Sequence, residues 1–136
     1  MELNFHISLP CKDLNETLQY YTEELGLEIG RSTSKWVDFN LYGTQLTFVK
    51  VEEYTFQYPF YVLEDNQLPT FHFGIILNYE NWESIYDRIN RWSTDTIIKT
   101  TFFEDQNGEQ SSFFVQDPNN YHIEFKTFKE KGEIFM

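Results

Sequence analysis

Three histidines and one glutamate in the middle of a strand are the residues of this 136-residue chain best suited to chemistry. Glu124 lies in the run His122-Ile123-Glu124-Phe125-Lys126-Thr127, which follows the turn Asp117-Pro118-Asn119-Asn120 and alternates as a strand does. Successive side chains point to opposite faces, so His122, Glu124 and Lys126 share one face and Ile123, Phe125 and Thr127 the other. A carboxylate in a half-buried strand needs a partner or a metal, because an unpaired buried charge is expensive. Taken alone, Glu124 is explained as well by pairing with Lys126 or by a wet face. His6 and His72 arrive in a repeated dipeptide, Phe5-His6 and Phe71-His72, each within an alternating run. Either histidine alone reads equally as a satisfied core or surface residue. Two histidines and a carboxylate converging from strands, however, make the facial triad of non-haem iron(II), and zinc, manganese or nickel accept the same ligands.

The elements that would position these groups repeat. Asn4–Pro10 alternates as a strand, and Asp13 or Asn15 can cap a helix carrying Leu14, Leu18, Tyr21 and Leu25, closed by Gly26. Strands are expected over Leu27–Arg31, Trp36–Leu41 and Gln45–Val51. The pattern restarts at Phe71–Leu77, followed by a helix capped at Asn81 with the stripe Trp82, Ile85, Tyr86 and Ile89. Strands over Thr96–Phe103 and Gln110–Gln116 and the run carrying Glu124 complete it. The simplest account is an α+β fold of two strand-helix-three-strand modules, at about 1–51 and 70–128. Between them 52–69 reads as a connecting loop, rich in aromatic residues and bearing Pro59 and Pro69. Its rings, from Tyr54 to Tyr61, would cap a site or mediate dimerisation. The tail 129–136 carries no expected element.

Composition narrows the partners. A formal net charge of −12 argues against nucleic acid and against an anionic membrane surface. The 14 Phe, 9 Tyr and 3 Trp supply a large core for one domain. The single Cys11 reads as a packed small hydrophobe. No leader is read before Phe5 and no apolar run approaches membrane-spanning length, so a cytoplasmic location is expected.

The chain resembles the vicinal oxygen chelate superfamily, which includes glyoxalase I, bleomycin- and fosfomycin-resistance proteins and type I extradiol dioxygenases. The resemblance is carried by Phe5-His6-Ile7, Tyr20-Tyr21 with Leu25-Gly26, Phe71-His72-Phe73-Gly74, and Asp117-Pro118 through Glu124-Phe125. Gly30-Arg31-Ser32, Trp36 to Asn40, Asn81-Trp82, Gly108-Glu109-Gln110 and Glu124-Phe125-Lys126 with Phe128 are similar to a bacterial extradiol-dioxygenase-like subgroup. The resemblance implies paired βαβββ modules forming an incomplete barrel around a divalent metal held by His6, His72 and Glu124. Glyoxalase I relatives supply a fourth ligand where Thr47 stands, with Gln45 a weak substitute on the same face. That favours a dioxygenase-type oxidoreductase with Fe(II), acting on a small catechol-like or vicinal-dioxygen substrate. The alternatives are a glyoxalase-like lyase or isomerase and a non-catalytic, resistance-type binding protein. His122 is the local candidate for proton transfer, ahead of Tyr121. Arg31, Asp38 and Gln110 are candidate substrate contacts, Arg31 and Asp38 equally a structural pair. A homodimer is the expected assembly. Asn120 stands where relatives usually have glycine, and Asn tolerates the left-handed backbone such a turn needs.

Overall fold

A computed structural model describes residues 1, 3–92 and 98–136. The chain divides into two compact units, Met1–Phe56 and Gln57–Met136.

In the first unit β1 (His6–Cys11) leads into α1 (Leu14–Gln19), then β2 (Glu28–Ser32), β3 (Trp36–Leu41) and β4 (Thr44–Lys50). Asp13 caps α1, its carboxylate accepting from the Glu16 amide at 3.0 Å. A π-helical turn, Tyr20–Glu24, extends the helix, and Gly26 ends it with φ 71°. The sheet order is β1-β4-β3-β2, with β1 parallel to β4 and the remaining pairs antiparallel. Alternation sends Leu9, Cys11, Val37, Phe39, Leu41, Leu46 and Phe48 into the core. There the Tyr21 ring lies 5.1 Å from Phe39 and 4.9 Å from Phe48. The opposite face carries His6, Asp38, Gln45 and Thr47.

The second unit begins with a hairpin, β5 (Phe60–Leu63) and β6 (Asn66–Pro69), where the sequence reads as a connecting loop. The strands are only four residues long, with Pro59 just before β5 and Pro69 ending β6, so no alternation builds up. The turn is made by Glu64 and Asp65, both at positive φ, rather than by an Asn-Gly pair. Then come β7 (Phe73–Ile76), α2 (Tyr79–Trp92), β8 (Ile98–Phe102), β9 (Gln110–Gln116) and β10 (His122–Phe128) in a sheet ordered β7-β10-β9-β8. Residues 96 and 97 of the expected Thr96–Phe103 strand lie outside the described residues. The strand expected from Phe71 starts only at Phe73, so His72 precedes it. The cap of α2 is Asn78, not Asn81: its side-chain oxygen accepts from the Asn81 amide at 2.8 Å. A 3-10 turn, Lys131–Glu133, occupies the tail.

Helix α2 buries Trp82, Ile85 and Ile89. Trp82 donates its indole N–H to the Phe125 carbonyl at 2.8 Å, which anchors the helix to β10. Phe113 and Phe125 stack 5.0 Å apart beneath it. Leu68, Phe102 and Phe114 form a second apolar cluster, flanked by Leu63 and Phe103. Phe114 pairs with Glu124, so this cluster lies on the face that carries the carboxylate.

The two sheets share one strand order and one pattern of parallel and antiparallel pairs. In the parallel pairs, Ile7 stands opposite Leu46 and Phe73 opposite Ile123. One step earlier on the first strands come His6 and His72. One step later, Thr47 pairs with Ser8 and Glu124 with Gly74. With His6 set against His72 by the repeated Phe-His dipeptide, these registers make Thr47 the internal counterpart of Glu124.

Candidate metal centre

Glu124 is 6 % exposed in the centre of β10. Its Oε2 lies 3.0 Å from His72 Nε2 and 3.5 Å from Lys126 Nζ, and its Oε1 accepts from the Ser112 hydroxyl at 2.9 Å. Burial is the largest influence on this carboxyl and pushes its pKa up. The hydrogen bond with His72, the charge of Lys126 and the Ser112 hydroxyl outweigh it, so the net shift is downward. The hydrogen bond with Glu124 raises His72, against an opposing effect of burial.

The position of His72 follows from its other nitrogen. Nδ1 is 3.0 Å from the Pro69 carbonyl, which can only accept, so Nδ1 carries a proton. In the neutral ring Nε2 then has a lone pair facing a carboxylate oxygen. Two such acceptors 3.0 Å apart require a cation between them, a proton or a metal. Ligand atoms held at about 2.1 Å from one divalent ion, at right angles, stand about 3 Å apart. The backing of His72 by a carbonyl and of Glu124 by a hydroxyl is the second layer that metal ligands need. The donor set therefore fits a divalent metal, while the Lys126 ammonium competes for the same carboxylate. Among the described residues, no three His, Cys, Asp or Glu side chains are gathered as a metal-binding group.

Gly74 makes the site tight. A Cβ at this position would stand 1.8 Å from the Glu124 carbonyl oxygen, so only glycine lets β7 approach β10 where the carboxylate projects.

His122 shares the face of Glu124 and is half-buried. Burial first, and the charge of His72 second, hold its pKa below the ordinary imidazole value. Its Nδ1 contacts the Tyr58 hydroxyl, which also lies 2.7 Å from the Asn120 carbonyl. Tyr121 faces the core and is fully buried. Gln110 pairs with Phe128, four residues along β10 from Glu124, about 13 Å at strand rise. The structure thus does not bring it to the carboxylate.

In the first unit His6 opens β1 and is exposed. Asp38 is buried; it accepts from Thr47 at 2.6 Å and from Gln45 at 3.2 Å, and pairs with Arg31 at 3.6 Å. Arg31 lies in a register irregularity of β2, with its guanidinium 5.3 Å from the Trp36 ring centre. The sequence offered Arg31 and Asp38 as substrate contacts or as a structural pair, and the structure sets them against each other as an ion pair. It did not single out Ser112 or Tyr58. Ser112 was detectable only by knowing the register of β9 on β10, and Tyr58 only through the fold of the hairpin segment.

This combination of two repeated sheet modules and a histidine-carboxylate pair defines a class. The sequence model of the Glyoxalase/Bleomycin resistance protein/Dioxygenase superfamily matches residues 5–125, and the chain belongs to that superfamily. Among solved structures, it is similar to a glyoxalase/bleomycin resistance protein/dioxygenase from Alicyclobacillus acidocaldarius. The identity is 22 %, over 96 % of this chain and 95 % of that one, with a TM-score of 0.80. A genomically encoded fosfomycin resistance protein, FosX, from Listeria monocytogenes is 19 % identical over 98 % of both chains, TM-score 0.68. A virulence protein from Salmonella typhimurium is 15 % identical over 94 % of this chain and 98 % of that one, TM-score 0.58. These likenesses establish the glyoxalase-like α+β fold. No curated protein matches the chain. No helix among the described residues is long and apolar enough to cross a membrane.

Proposed function

We propose that the chain is a metal-dependent oxidoreductase of dioxygenase type acting on a small catechol-like or vicinal-dioxygen substrate. One observation carries the reading: His72 Nε2 and Glu124 Oε2 stand 3.0 Å apart, each backed by its own hydrogen bond. His72 and Glu124 are two of the proposed ligands, and His6, the internal counterpart of His72, is the third. Thr47, at the counterpart of Glu124, offers no carboxylate, which disfavours the four-ligand set of a glyoxalase-type isomerase. When bound, iron(II) supplies Lewis acidity toward the vicinal oxygens of the substrate and redox chemistry toward dioxygen.

The protein's own groups do the rest. His122, whose pKa burial lowers, accepts a proton from a substrate hydroxyl. The apolar cluster of Leu68, Phe102 and Phe114 restricts water on the carboxylate's face. Arg31, steadied by Asp38 and Trp36 yet with a side chain 77 % exposed, offers free donors to an acidic substituent. A homodimer in the cytoplasm is the proposed assembly and setting, tested by light scattering and fractionation.

Anaerobic loading with iron(II), followed by oxygen and a panel of catechols, tests the reaction through the yellow ring-cleavage product. Iron-loaded protein that turns over none of them sinks the dioxygenase assignment. His72→Ala and Glu124→Ala should each lower bound metal at least 10-fold, and metal content unchanged in both removes the ligand assignment. Lys126 favours a second reading. Its ammonium can neutralise Glu124 without any metal, as a non-catalytic binding protein would require. Protein purified without added metal and found metal-free after exposure to iron, zinc, manganese and nickel would support that reading instead.

A further inference from the structure

Tyr58 lies in the segment leading into β5, and its hydroxyl reaches two groups at the start of β10. It is 2.7 Å from the Asn120 carbonyl oxygen and in contact with His122 Nδ1. A phenol has one proton to donate. A carbonyl can only accept, so the Tyr58 proton goes to Asn120; the reverse assignment would leave two acceptors facing one another at 2.7 Å. The phenol oxygen then offers only lone pairs to the imidazole, and these are complemented by Nδ1–H alone. A neutral imidazole carries a single N–H, so Nε2 is the nitrogen left bare.

We propose that Tyr58 is a positioning residue that locks His122 in its Nδ1–H tautomer and so makes Nε2 the basic nitrogen of the ring. The surroundings are built to hold this arrangement. Asn120 adopts φ 70°, in a turn fixed by the Asp117 carboxylate, which accepts from the Asn119 amide at 2.9 Å and the Tyr121 amide at 2.8 Å. The carbonyl that receives the Tyr58 proton is thereby aimed. The His122 ring is gripped edge-on by Tyr58 and Phe60, with ring centres 5.5 and 5.9 Å away. No hydrogen bond among the described residues engages Nε2, which stays available to a proton from outside. The proposal deepens the reading of His122 as proton acceptor: for that role the lone pair must stand on a defined nitrogen.

The tautomer is read directly. The full-length protein is labelled with imidazole nitrogen-15, stripped with a chelator and examined by long-range proton–nitrogen correlation as the pH is raised until the His122 nitrogen shifts no longer change. His122 should show a protonated-type Nδ1 and an unprotonated-type Nε2, with the Nδ1 proton cross-relaxing to the Tyr58 ring protons. In Tyr58→Phe the two nitrogens should reverse or average. His72, held by the Pro69 carbonyl, should keep its pattern and so report that the variant is folded. A wild-type His122 protonated on Nε2, or lacking that cross-relaxation, overturns the proposal whether or not the variant folds. An unchanged His122 in folded Tyr58→Phe overturns it too. In a turnover assay Tyr58→Phe should lower kcat about 10-fold, a fraction of what a general base contributes, with KM unchanged. The predicted tautomer without turnover on any catechol would refute the dioxygenase reading and leave Tyr58's role standing. Turnover with the wrong tautomer would do the reverse.

Discussion

Gly74→Ala is the most demanding single-atom-group test of the site. The added methyl would stand 1.8 Å from the Glu124 carbonyl oxygen, 2.7 Å from its carbonyl carbon and 3.0 Å from its nitrogen. All three are backbone atoms of β10, so no side-chain rotation relieves the clash. Even reaching 3.0 Å requires β7 and β10 to part by at least 1.2 Å, the difference between 3.0 and 1.8. β7 pairs with β10 at only four positions, Phe73 to Ile76. Parting at the second of them stretches hydrogen bonds on both sides beyond useful length. Two or three lost bonds at about 1 kcal/mol each, with overpacking strain of about 1–2 kcal/mol, give a loss of about 3–5 kcal/mol. For a chain of this size that lowers Tm by about 10 °C or more. Urea and thermal unfolding measure it. Gly132→Ala is the control, because a Cβ there meets nothing within 4 Å; its unfolding midpoint should stay within about 0.5 kcal/mol of wild type. The same displacement separates His72 from Glu124, so metal affinity should fall with stability. A Gly74→Ala protein as stable as wild type refutes the close approach of β7 to β10.

Two further outcomes follow from the polar contacts. Ser112→Ala removes a buried donor from Glu124 and should destabilise the protein by about 1–3 kcal/mol in chemical denaturation. It should also raise the Glu124 pKa, seen by carboxyl NMR; a carboxylate that titrates as in wild type removes Ser112 from the site. In chelator-treated protein, His72 is raised above its ordinary 6.5, so its stabilising contribution is complete below that value and lost as pH climbs through the elevated folded pKa. Glu124 is lowered from 4.5, so its contribution is complete above that value and lost as pH falls through the depressed one. Stability should therefore be greatest between about 4.5 and 6.5, and Glu124→Gln should flatten both flanks. Equal pH dependence in the variant would show that the pair is not what titrates.

The sheets were legible in the sequence because period-two alternation states which residues share a face, and that was enough to group His122 with Glu124 and to separate Tyr121 from them. The repeated Phe-His was legible for the same reason, and with it as the anchor the strand registers set Thr47 against Glu124. Alternation says nothing about which neighbour a side chain reaches across a sheet. Ser112 therefore looked like an ordinary strand serine until β9 was set against β10. The hairpin at β5 and β6 was hidden because four residues are too few for a period and Pro59 and Pro69 argued against strands. Tyr58, 62 residues from Asn120 in the chain, gains its meaning only from that segment's fold. Gln110 shares a face with Glu124, but a shared face does not measure distance along a strand.

The equivalence of Thr47 and Glu124 constrains how this chain can change. Threonine at 47 is engaged with Asp38 at 2.6 Å, and Asp38 is itself buried. A glutamate substituted at 47 would remove the hydroxyl that donates to Asp38 and set a second negative charge beside it, an unfavourable like-charge pair. The route to a second acidic strand centre therefore has an order. Asp38 must first be neutralised or lost, and only then does a carboxylate at 47 become tolerable. Substitutions at the two positions are epistatic, non-additive in stability by the interaction they share. A lineage that had kept Asp38 would find the symmetric, four-ligand arrangement closed to single steps.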